Sequence, residues 1–461
     1  SATAAAGNIT DSGVLAITGT STFTVADGQS VILNESSTFS TVTFASAGTI
    51  ASVEINDSNA FDLKTLTTTG NLTVTAGGNI TDSGTVTVGG NLAATTDASN
   101  GAIDLGTLAV DGTMALATHG TGAATVVNDA GLNFAASTVR GALTATATTG
   151  NITDSGTLTI TGTTTLVTSA NDATITLNDA DNAFTGALTI TTNDNSGTDA
   201  DVIIDGGTTA LIIAASTIDG NLTLTSGATA GITDSGTVTV GGDLAATTDA
   251  GNGVIDMDTL AVDGSIALVT NGNGAATVVN DAGLNFAAST VRGALTATAT
   301  TGDITDSGTL TITGASIFTT RVGGSNIVLD SSANAFAAAV TMKADTGGDE
   351  TFGNITFVDS AAVKLHSSAG TNGDLFIDAG TDLAVGGNLS ITATTGNITQ
   401  GAAVAVTGTT TLTTSANNAT IALDTTTNAF TGAVTITTND DSGANADVTI
   451  DGGTTALILA A

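Results

Sequence analysis

The chain has 461 residues, with six Lys and Arg against 42 Asp and Glu, a formal charge of −36, and no Cys, Pro, Trp or Tyr. That charge sets it against nucleic acid and anionic membrane surfaces and leaves cations or basic surfaces as electrostatic partners. The lack of Cys excludes a disulfide framework and thiol chemistry, and the lack of Pro suits a backbone whose N–H groups are nearly all needed in a hydrogen-bonded ladder.

Apolar runs such as 210–215 and 335–340 stop near six residues, far short of the ~20 of a transmembrane helix, so no membrane span is expected in this segment. Ser1 opens without a basic or long apolar leader, and the run that ends at Ala461 has a counterpart, ending at Ala215, that continues. The expectation is one continuous segment of a longer protein.

Residues 1–79 form a first, divergent module with strand-like runs at 14–18, 30–33, 40–44, 50–55 and 71–75. The heptad Gly-Asn-Ile-Thr-Asp-Ser-Gly marks the modules: it stands at 7–13, 78–84 and 150–156, with two changes at 230–236 and one at 302–308, and decays at 396–401. Its isoleucines (Ile9, Ile80, Ile152, Ile232, Ile304, Ile398) are 71, 72, 80, 72 and 94 residues apart. The remaining modules are therefore 80–151, 152–231, 232–303, 304–397 and 398–461. Residues 123–150 recur unchanged at 275–302, and 163–215 are echoed at 409–461, so internal duplication built the segment.

Within a module, alternating apolar runs begin at Gly141, Thr164, Gly186 and Thr209, roughly every 22–24 residues. A step of 72 is thus three small units. In 157–162, Leu158 and Ile160 face one way and Thr157, Thr159 and Thr161 the other, the period-2 pattern of a half-buried strand. Thr-Asp-Ser-Gly reads as a corner, with Asp154 bonding a backbone N–H further on and Gly156 free to turn. Three strands and three corners per unit, stacked about 4.8 Å apart, make a parallel β-helix, and the preference of parallel crossovers predicts the right hand. Its core is expected to be Leu, Ile, Val and Ala, plugged by Phe184, Phe336 and Phe430.

The six bases (Lys64, Arg140, Arg292, Arg321, Lys343, Lys364) are scattered, Arg140 and Arg292 are duplicates, and His119 is replaced by Asn271 in the matching copy; His366 has no evident partner. That is no pattern for catalysis, and the chain is expected not to be an enzyme. The acidic stretch 194–201 and its echo near 440–451 offer oxygen ligands for calcium, with Asp194, Asp199, Asp201, Asp440 and Asp447 as candidates. A solvated acidic loop is the plainer reading, because Asp201 and Asp205 lie roughly 13 Å apart on an extended strand. Asn-x-Thr at Asn8, Asn79, Asn151 and Asn397 fits turn asparagines as well as glycan acceptors. Thr-x-Thr at Thr85, Thr157, Thr237 and Thr309 returns once per module and makes no continuous array.

The run 70–84 (Gly-Asn-Leu-Thr-Val-Thr-Ala-Gly-Gly-Asn-Ile-Thr-Asp-Ser-Gly), with 162–166, 175–190 and 202–207, resembles the repeat regions of very large filamentous-haemagglutinin-like bacterial surface proteins. The resemblance spans nearly the whole chain. It implies a right-handed β-helical shaft, exported across the outer membrane and acting at the cell surface in adhesion, aggregation or biofilm. Two functions follow as expectations: the shaft of a secreted adhesin that meets a host or neighbouring cell, or a subunit of an extracellular fibre or sheath that associates with copies of itself.

Overall fold

The computed structural model describes residues 1–97, 100–193, 200–344, 353–365, 374–377, 384–401, 403–440 and 446–461. Every regular element among them is a β-strand, and every strand pairing given in register is parallel. The stacking is that of a β-solenoid. The chain divides into two compact units, Ser1–Gly227 and Ala228–Ala461.

In the first unit one coil runs through Leu143–Ala147, Ile152–Asp154 and Leu158–Ile160. Its three sides pair in register with the next coil, Leu143 on Thr164, Ile152 on Ile175 and Ile160 on Phe184. The coil is therefore closed by the residue pitch that the repeats predict. Leu158 and Ile160 are buried, as are Leu143, Ala145 and Ala147, whereas the intervening threonines face outward. β-Branched and small side chains on a pleated strand achieve this, because alternate positions point to opposite faces and only one face has a core to enter.

The first module differs from the expected pattern of short runs. Ala16–Val25 and Gln29–Ser46 are long strands that pass through their corners, with register shifts at Ile17/Thr20 and Leu33/Ser37. The runs expected at 30–33 and 40–44 are thus one strand. The corner at 34–38 reads Asn-Glu-Ser-Ser-Thr, without the glycine of Thr-Asp-Ser-Gly, so the chain bends by bulging instead of by a turn.

The second unit repeats the plan. Ala276, Leu295, Ser316 and Val340 stack on one side, Leu284, Ile304, Ile327 and Ile355 on another, and Val291, Ile312 and Phe336 on the third. Phe184, Phe336 and Phe430 are core plugs, as expected. In the second unit Phe286, Phe318, Phe336 and Phe357 form an aromatic column with centroids 6.1, 6.2 and 5.1 Å apart. At 403–406 the valines Val404 and Val406 turn inward, and only the alanines are left on the outer side.

Three buried hydroxyls, Thr164, Ser316 and Thr410, have no hydrogen-bond partner and occupy equivalent inward positions that neighbouring coils fill with Leu143, Leu188, Leu295 and Val340. An unpaired buried hydroxyl is a liability. Thr164→Val and Thr410→Val keep the shape and remove the polar atom, so each is expected to stabilise the protein by about 1 kcal/mol. Urea denaturation of the two variants checks this, and a loss of stability in both would mean that the hydroxyls have partners.

Candidate functional site

The repeated heptad is the natural place to look for function, and its polar groups are spent between coils. The Asn8, Asn79, Asn151 and Asn397 side-chain oxygens each accept a backbone N–H from the following coil, from Ser30, Ala102, Thr174 and Thr420, at 2.8–3.0 Å. This gives the asparagines of the Asn-x-Thr sequons a structural task.

The heptad aspartates act in the same direction. Asp82 accepts from the N–H groups of Gly106 and Thr107 at 3.0 and 2.8 Å, and Asp234 from Asp258 and Thr259 at 3.2 and 2.8 Å. Asp154 and Asp306 each receive two such N–H groups and, in addition, the amide of Asn182 or Asn334. In the decayed copy Gln400 takes the same place, accepting from Thr425 N and from the Asn428 amide. The sequence places Asp154 at a corner with a backbone donor further on. The structure puts that donor 24–25 residues on, in the next coil, so the residue is a bracket between coils and not a local turn lock.

A longer ladder starts in the second unit at Asp303, which stands at the heptad's asparagine position. The Asp303, Asn326, Asn354 and Asn388 side-chain oxygens accept in turn from Asn326 N, Asn354 N, Asn388 N and Thr409 N, all at 2.7–2.9 Å. Backbone N–H groups at corners, which no strand partner would satisfy, are met in this way. Buried amides do the same inside. Asn128 accepts from Val110 N and donates to Val110 O and Gly131 O; Asn280 repeats this with Val262 and Gly283.

Of the calcium candidates, Asp194 and Asp199 lie outside the described residues, as does His366. Asp201 holds the corner by accepting from Asn221 N at 2.8 Å. Asp440 and Asp447 are exposed in the second unit, and no group of three or more His, Cys, Asp or Glu stands ready to hold a metal ion among the described residues.

Among the described residues the basic side chains named above are not gathered into one cluster. Arg140, Arg292 and Arg321 are exposed, and Lys64 is paired with Asp62 and also reaches Ser83 Oγ at 2.9 Å. Burial pushes the Asp62 carboxyl up, but the hydrogen bonds from Lys64 and Ser83 and the Lys64 charge outweigh it and hold it below its ordinary value. His119 uses its Nδ1 on the carbonyl of Thr96, and its counterpart Asn271 reaches Asp249 O with its amide.

The sequence reading missed one regular feature. Outward threonines absent from the once-per-module Thr-x-Thr motif stack into columns. In the first unit these are Thr125, Thr144, Thr165 and Thr189; in the second, Thr356, Ser390, Thr411 and Thr435 run beside Val358, Thr392, Thr413 and Thr437. Counting along strands from coil to coil, instead of module to module, would have found them.

No helix among the described residues is long and apolar enough to cross a membrane. No curated protein and no solved structure matches the chain. A family model described as repeats of unknown function (DUF5649) matches residues 1–46, 50–109, 121–191, 273–343 and 372–437. Those segments make up more than half of the chain and follow the coils described above, so the protein belongs to this family of repeats of unknown function.

Proposed function

We propose that the chain is the non-enzymatic shaft of a secreted bacterial surface adhesin, which holds a binding region away from the cell. The observation that carries this reading is the use made of the repeated motif: its Asn and Asp side chains tie the coil that carries them to the next. A motif that recurs in order to fasten coils serves mechanical continuity, and a duplicated segment of this sort supplies reach. The acidic outer surface keeps such a stack soluble and apart from anionic lipid, and the resemblance to filamentous-haemagglutinin-like repeats supports a place outside the cell. The role requires no cofactor, and its partners are a host or neighbouring cell.

Electron microscopy of the native, full-length secreted material tests it. Rods of one fixed length with a distinct knob at one end are expected. An open-ended distribution of lengths with a repeating axial period would overturn the shaft and make the segment a fibre subunit that associates with copies of itself.

A further inference from the structure

Four corners share one construction. Asn128 faces Leu108, Asn280 faces Leu260 and Asp57 faces Ser37 across adjoining coils, each just after a register shift in the ladder. In these three the residue that follows donates its N–H to the carbonyl of the facing residue, and the fourth corner, at Asp359, does the same through Ser360 N and Asn334 O. Two residues beyond the facing position, the N–H of Val110, Val262, Phe39 or Phe336 donates to the side-chain oxygen, at 2.8, 2.8, 3.3 and 3.4 Å. The site is one clamp, built twice with an amide and twice with an acid.

The amide clamps are closed from both sides. The Asn128 and Asn280 Nδ2 atoms donate back to Val110 O and Val262 O at 3.0 Å, and to Gly131 O and Gly283 O at 2.6 and 2.7 Å. An aspartate has the same outline, with an oxygen in place of the NH2. Ionised, it only accepts and turns lone pairs toward carbonyls; neutral, it carries one O–H and donates as the amide does. Asp57 and Asp359 are 1% and 2% exposed, so neither carboxyl is open to bulk solvent.

We propose that Asp57 and Asp359 close their corners as neutral carboxylic acids, each donating an O–H hydrogen bond to the backbone, so that the two corners loosen as rising pH removes those protons. Burial raises both carboxyls above their ordinary value, against the backbone N–H groups of Asn59 and Phe39 at Asp57 and of Phe336, Ala361 and Ser360 at Asp359, which favour the charged form. The surroundings leave burial in control. Asp57 has uncharged Ser37 and Ala76 as strand partners, and the charged groups that share its cavity of about 30 Å³, Asp62 and Lys64, are paired with each other. Asp359 faces Ala393 in the following strand, and the charged group reached through the preceding coil is Asp306, which accepts from the Asn334 amide.

The sign follows from linkage. Each acid binds its proton more tightly folded than unfolded, so its contribution is complete below the unfolded value and is lost as pH rises toward the folded one. Across that window the unfolding constant rises by up to about tenfold per pH unit for each group. The other carboxylates add a slope of their own, which cancels in a comparison of variants.

Urea denaturation of the full chain over a series of pH values, for wild type, Asp57→Asn/Asp359→Asn and Asn128→Asp, is the test. The double variant is expected to lose the increment, Asn128→Asp to gain a further one, and the infrared band of protonated carboxylic acid to persist to higher pH in wild type than in the double variant. A wild-type band that fades together with that of the double variant, or an Asn128→Asp protein with unchanged pH dependence, overturns the proposal. The latter holds even where the double variant does not fold.

Discussion

Replacing Gly231 with the asparagine that the repeat demands is expected to destabilise the second unit by about 3 kcal/mol. Asn8, Asn79, Asn151 and Asn397 stand at this place in their copies of the heptad, so a consensus argument would recommend the change. The local backbone forbids it. A Cβ on residue 231 would lie 1.8 Å from the carbonyl oxygen of Val254 and 2.6 Å from its nitrogen, far inside van der Waals contact. Neither atom is free to retreat, because Val254 O accepts the N–H of Ile232 at 2.9 Å, and Gly231 is fixed by its own bond to Ala228 O at 3.0 Å.

The left-handed conformation, φ 71°, is not the objection, since asparagine tolerates it; the objection is the approach of the next coil's backbone. Asn151→Gly is the control. It removes one bracket, to Thr174 N, and should cost only about 1 kcal/mol. Urea denaturation separates the two, and a Gly231→Asn protein as stable as wild type would show that this corner rearranges freely.

The example marks where sequence reading succeeds and where it stops. Coil pitch, strand alternation and the Phe plugs were legible because they are local or periodic: Leu158 and Ile160 are inward for the same reason wherever the pattern occurs. The partners of Asp82 and Asp154 were not, because they lie 24–25 residues on and depend on how successive coils register. The long strands of the first module were missed for a related reason. A corner without glycine reads as a break in the pattern, yet the chain passes it by a bulge.

The site was less legible than the fold. The acidic loops drew attention as calcium ligands because carboxylates cluster there in sequence, whereas Asp201 is occupied in holding Asn221 N. Asp57 and Asp359 drew none, because in sequence nothing distinguishes them from the many solvated acids. Only the register that sets Asp57 on Ser37, as Asn128 is set on Leu108, reveals that an acid fills an amide's place.

Truncating Phe318 to alanine is expected to cost the second unit about 3–5 kcal/mol. The ring is fully buried in the strand Ser316–Thr320, between Ala297 and Met342 on the same inward row. It meets Phe286 and Phe336 edge to face, at interplanar angles of 86° and 87°, a geometry worth about 0.5–1.5 kcal/mol per pair beyond the area buried. Small Ala297 on one side makes room for the ring, so its removal leaves a void that two hydrogen-bonded ladders prevent the coils from closing. The first unit offers its own control. Leu166 occupies the equivalent position, also fully buried, and Phe318→Leu should cost no more than about 1.5 kcal/mol. Because each coil leans on its neighbours, hydrogen exchange should quicken first in the strands Leu295–Ala299 and Val340–Ala344 that flank the cavity. Equal losses in the alanine and leucine variants, or exchange that quickens evenly over the whole unit, would refute the view that this column is a local keystone of the stack.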